Sequence, residues 1–160
     1  LTLSTISEDL NLTELPRQSR VHAIFIMVLL GLFVFRVAAQ ILQLLAPTPI
    51  LPAFEAWHSG TLPYGLLFAF QIVIIILAAS FVRGLWIGQI KQNRRLGTVV
   101  AWIGGLYFAG SVARFVAGLT FAKQNLFLSA HLPGIFHIVL AVMVLTVAHY
   151  HLSNITGDEA

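Results

Sequence analysis

Apolar residues dominate four stretches of the chain, Val21 to Ala46, about Tyr64 to Ile87, Gly97 to Phe121 and Leu132 to Leu152, with polar residues gathered in the gaps. A helix crossing a bilayer needs roughly 20 predominantly apolar residues, and each stretch supplies them. A barrel strand uses only ~10 residues and alternates strictly, which these stretches do not. The pattern therefore predicts four transmembrane helices. The first stretch holds Arg36 and Gln40 and is followed by no small-residue cleavage site, so it reads as a membrane helix and not as a signal peptide.

The gaps complete the layout. Residues 1–20 form a polar segment, in which Ser7-Glu8-Asp9 and Thr13-Glu14 offer caps for a short surface helix before Pro16. The segment 47–63 carries Pro47, Pro49, Pro52 and Trp57 and is expected to lie among headgroups or fold back over the helices. The connections 88–96 and 122–131 are brief, so sequential helices are expected to be antiparallel neighbours. The expected fold is all-α: one integral membrane domain over residues 1–160, an up-down-up-down four-helix bundle.

Composition strengthens this picture. The chain is 58% hydrophobic and 9% charged, with a mean hydropathy of +0.89, against about 25% charged residues in soluble domains. Arg17, Arg20, Arg83, Lys91, Arg94 and Arg95 fall on one side of the predicted bundle and Lys123 alone on the other. That bias predicts both termini in the cytoplasm. Trp57 and Tyr64 outside, and Trp86, Trp102 and Tyr150 inside, occupy interfacial positions. The basic balance is thus a topology signal and does not point to nucleic acid. There is no cysteine, which excludes disulfides and thiolate chemistry.

Charge in a bilayer costs about 2.5–3.5 kcal/mol per residue on insertion scales, yet Arg36 and Arg114 lie within predicted helices. At ~1.5 Å per residue they sit about 15 Å and about 10 Å below the outer ends of helices 1 and 3. Gln40, Gln71 and His137 share that depth. Arg36, Gln40 and Gln43 fall on one helix face, as do Tyr107, Ser111 and Arg114. Between Arg17 and Gly157 the only carboxylate is Glu55, in the first external loop beside His58. Candidate ligand-binding residues are therefore Arg36, Gln40, Glu55, His58, Gln71, Arg114 and His137. Three fates remain open for the arginines: snorkelling to lipid phosphates or loop carbonyls, an anionic or amphipathic ligand, and a partner's carboxylate.

The histidines divide into His58, His131 and His137 outside and His22, His149 and His151 inside. Helices 1 and 4 can be neighbours, which makes His22, His149 and His137 candidate axial ligands for haem b or a chlorophyll-type pigment. His149 and His151, two apart on a helix, point away from each other and make a poor metal site. Ala101, Gly105, Ala109, Ala113 and Ala117 form a small-residue ridge, which serves either internal packing or docking of another subunit. Motifs for intramembrane proteolysis, phosphate loops and hydrolase elbows are missing.

The stretch Trp57-His58-Ser59-Gly60-Thr61-Leu62-Pro63-Tyr64 leading to Gln71, then Gly105-Leu106-Tyr107-Phe108 with Arg114, then Leu132-Pro133-Gly134-Ile135-Phe136-His137, resembles small bacterial membrane proteins similar in layout to the DoxX-like four-helix group. The resemblance implies a bundle in a bacterial inner membrane and carries over no functional residues. The first expected function is a non-catalytic accessory subunit of a larger respiratory or photosynthetic membrane complex, in contact with other membrane subunits and lipids. The alternatives are a binder of an anionic or amphipathic ligand, haem, pigment or lipid in the outer Arg/Gln/His layer, and a small enzyme or transporter for a lipid-like anion.

Overall fold

A computed structural model describes residues 17–57, 62–120 and 131–153, with side chains from Ser19 onward. It is all-helical. Helices α1 (Arg17–Leu45), α2 (Tyr64–Trp86), α3 (Arg94–Leu119) and α4 (His131–Leu152) are each long and apolar enough to cross a membrane. The predicted blocks match them closely. The differences fall at the starts of α1 and α3, where polar turns extend the helix beyond its apolar block.

The helix ends follow from local chemistry. Pro63 precedes α2, where its missing N–H costs nothing. At the other end Gly88 takes φ 67°, a left-handed conformation that favours glycine. Its N–H donates to the Leu85 carbonyl at 3.3 Å and the Gln89 N–H to the Gly84 carbonyl at 2.9 Å, the paired bonds of a Schellman cap. Asn93 then caps α3, its side chain accepting from the Leu96 N–H at 3.1 Å.

Helix α1 packs against both α2 and α4, and α3 packs against α4. The expectation that all sequential helices are neighbours fails for α2 and α3, which make no close backbone approach. The reason lies in the short connection between them, which is tied to the end of α4. Gln92 Nε2 donates to the Tyr150 carbonyl at 2.8 Å, the Asn93 N–H donates to His151 Nδ1 at 3.2 Å, and the Tyr150 hydroxyl donates to the Ile90 carbonyl at 2.7 Å. Gly97, Gly104, Ser111 and Gly118, seven apart and all buried, then let α3 lie close along α4. A cleft is left between α2 and α3.

The burial pattern is that of a protein dissolved in lipid. Arg36, Gln40, Gln43, Gln71, Ser111 and His151 are buried, whereas Trp102, Leu106, Leu77 and Phe35 are at least 60% exposed. Water as solvent would select the reverse. An apolar core does exist where Ala23, Ile26 and Leu29 meet Ala78, Val82, Leu85, Met143 and Tyr150. It occupies the part of the bundle nearer His22.

Candidate functional site

The other part of the bundle is organised by polar groups. Positions 29, 33, 36, 40 and 43 of α1 recur at helical spacing and are all buried. Gln43 closes this stripe. Its carbonyl oxygen accepts from the Thr48 N–H at 2.7 Å, while its amide donates to the carbonyls of Pro52 at 2.9 Å and Leu51 at 3.1 Å. The chain after Pro47 is thereby folded back onto the helix ends. A single 3-10 turn, Phe54–Trp57, packs against α1 and α4 and leaves Trp57 only 4% exposed. Its indole Nε1 donates to the Pro52 carbonyl at 3.0 Å.

This fold-back supplies the first partner of Arg36, whose Nη2 donates to the Trp57 carbonyl at 2.9 Å. The guanidinium carbon also stands 5.3 Å above the Phe136 ring, a cation–π contact with α4. No carboxylate joins them. Glu55, the only carboxylate among the described residues, is exposed and forms no ion pair there. His58 lies outside the described residues.

Arg36 lines a cavity of about 200 Å³ together with Gln71 of α2, Tyr107 of α3 and His137 of α4. Phe33, Leu67, Phe70 and Phe136 provide much of its apolar wall. Gln71, 2% exposed, donates through Nε2 to Gln40 Oε1 at 3.2 Å, so Gln40 supports the cavity from behind. The Tyr107 hydroxyl and His137 Nδ1 share a hydrogen bond at 2.6 Å, their rings edge to face. Arg114 is half-buried two turns further along α3, on the same face as Tyr107. All four helices thus give a polar group to one layer.

The layer is not internally satisfied. Arg36 Nε, Gln40 Nε2, Gln71 Oε1 and the Tyr64 hydroxyl are buried without a hydrogen-bond partner among the described residues, and of these Arg36 and Gln71 line the cavity. Each such group costs about 1–3 kcal/mol. Buried polar atoms left open around a cavity are a binding signature, because a ligand completes them. The volume lies below the ~300–1,000 Å³ of pockets for drug-sized ligands. It admits a headgroup-sized moiety and not a tetrapyrrole.

At the opposite end, His22 Nε2 and His149 Nδ1 share a hydrogen bond at 2.9 Å and the rings stack at 5.1 Å. An iron between two imidazoles at about 2 Å each needs about 4 Å between nitrogens, so this pair is closed against haem as it stands. No group of three or more metal-ligating side chains occurs among the described residues.

The ridge predicted on α3 does not carry the contact with α4. Ala109 and Ala113 are exposed, Ala101, Gly105 and Ala117 half-exposed, and a Cβ on Gly105 would meet nothing within 4 Å. Gly97, against His151 and Leu152, and Gly104, against Val144 and Leu145, make the internal contact instead. Tyr107 is the site residue that sequence reasoning underrated. Its signal was present in the shared face with Arg114 and in the depth match to His137.

No protein-family model, curated protein or solved structure matches this chain.

Proposed function

We propose that this membrane protein binds an anionic amphipathic ligand, whose charged head completes the layer built by Arg36, Gln71, Tyr107 and His137. One observation carries the reading: Arg36 is 6% exposed, lines a cavity, and faces no carboxylate among the described residues. A lone guanidinium in that setting is costly unless something anionic meets it. Tyr107 and Gln71 orient the head by hydrogen bonding, and Phe136 holds the guanidinium from one side. The bias of basic residues flanking the helices supports both termini in the cytoplasm and an up-down-up-down crossing. The cavity then opens in the outer half of a membrane, for which the bacterial inner membrane is our assignment.

The test is equilibrium binding of a short-chain carboxylate, hexanoate, to the purified protein in phosphatidylcholine nanodiscs. Arg36→Gln removes the charge while keeping a polar amide, and should weaken binding by about tenfold or more, the yield of one charge-assisted hydrogen bond. Equal affinity for the variant and the parent chain would refute the assignment.

A second reading, an accessory subunit of a larger membrane complex, is favoured by the outward turn of the Ala101–Ala117 ridge. Co-purification of a membrane partner that Ala109→Leu releases, with hexanoate binding intact, would support it.

A further inference from the structure

A second space adjoins the cavity around Arg36. Ile74 of α2 and Leu140 of α4 line both the cavity and a groove of about 590 Å³ along the cleft between α2 and α3. Leu77 and Phe81 form one wall, Leu96 and Val100 the other, and Met143 and Val147 the floor. The groove reaches His151, whose Nδ1 is already engaged by the Asn93 N–H. From His137 to His151 the axis of α4 rises about 21 Å at ~1.5 Å per residue. That is about two-thirds of the ~30 Å hydrocarbon thickness. A polar pocket and an apolar lane of tail length therefore lie end to end.

We infer that the groove holds the tail of a single-chain amphiphile with a small anionic head, a long-chain carboxylate being the type; this rests on the binding function proposed above. The head is set by charge and size. Arg36 is the buried cation of the pocket, and its volume of about 200 Å³ suits a head as small as a carboxylate. The tail is set by shape. Lipid chains are as apolar as the groove walls, so leaving the bilayer gives a tail little hydrophobic gain. The attraction then comes from the head, and the groove acts by shape: it admits one straight chain between two helices held apart, and when it is filled a long-chain acid cannot seat its head.

The experiment compares palmitate, hexanoate, hexadecanol and a diacyl phosphatidylglycerol in phosphatidylcholine nanodiscs. Val100→Trp and Leu77→Trp fill the groove from opposite walls, and Leu77 is 64% exposed, so its replacement need not disturb the core. Each should weaken palmitate by about tenfold or more and leave hexanoate unchanged, retained hexanoate binding also showing that the variant is folded. Hexadecanol should bind far more weakly than palmitate. A palmitate analogue with a terminal diazirine should label the unmodified protein on residues 77–81 or 96–100.

Unchanged palmitate affinity in both variants, or labelling confined to other segments, would overturn the tail assignment while leaving the head site standing. Preference for the diacyl lipid would overturn the single-chain inference. Failure of both acids to bind would remove the underlying function as well.

Discussion

Gly104 and Gly105 are adjacent in sequence and should respond oppositely to the same substitution. A Cβ on Gly104 would lie 3.0 Å from Leu145 Cδ2 and 3.1 Å from Val144 Cγ1, closer than the ordinary 3.4–4 Å contact range. Replacing a helical glycine by alanine gains about 0.8–1.0 kcal/mol in propensity. At Gly104 that gain is offset by crowding against two side-chain termini, so Gly104→Ala should be near neutral. A leucine there drives further atoms into α4 and should cost about 1–3 kcal/mol, the usual range for overpacking. At Gly105 nothing stands within 4 Å, so alanine should stabilise by up to about 1 kcal/mol and leucine should be tolerated. Unfolding in mixed micelles, followed by tryptophan fluorescence or steric trapping, reads the difference. Comparable losses for Gly104→Leu and Gly105→Leu would mean that the ridge, not the glycine stripe, meets α4.

Three further outcomes follow from the geometry. Gln43→Leu removes the acceptor for the Thr48 N–H and the donor to Pro52 and Leu51, so the fold-back should loosen at a cost of about 1–3 kcal/mol; protease sensitivity between residues 46 and 57 reports it, and no change would show that the segment is held otherwise. Gln71→Glu places a carboxylate in the cavity of Arg36 and should act as an internal ligand, lowering hexanoate affinity by about tenfold or more without loss of thermal stability; retained affinity would separate Gln71 from the anion site. Because the chain has no cysteine, Leu62→Cys and Ser153→Cys give single reporters; an impermeant maleimide should label the first in intact cells and the second only after lysis, and the opposite result would invert the proposed topology.

The helices were legible because hydropathy over some twenty residues is a strong signal in a bilayer protein, and the predicted blocks agree with α1 to α4 to within a few residues. Which helices touch was not. Loop length argued for contact between α2 and α3, but the deciding features were a glycine repeat of seven and hydrogen bonds from Ile90, Gln92 and Asn93 to the end of α4. The repeat of four through Ala101 and Gly105 is the more regular of the two, yet it faces away from α4. Small residues permit close approach without specifying it, because lipid supplies no drive to bury them. Whether a ridge is used depends on the side chains that face it, and those belong to another helix.

The candidate site shows the same division between what composition states and what packing decides. Arg36, Gln40, Gln71 and His137 announced themselves by polarity at matched depth, since membrane helices carry such groups only with reason. Glu55 is the only carboxylate between Arg17 and Gly157, and the structure leaves it exposed. The charge of Arg36 is instead shared between the Trp57 carbonyl and the Phe136 ring. Neither partner carries a formal charge, so the arrangement holds the guanidinium in place without neutralising it. A carboxylate from Glu55 would have filled that role permanently and closed the pocket. Holding the cation through a carbonyl and an aromatic face, with the Nε donor open among the described residues, keeps the site positive and preorganised. That is the condition under which an anion arriving from the membrane gains most by binding.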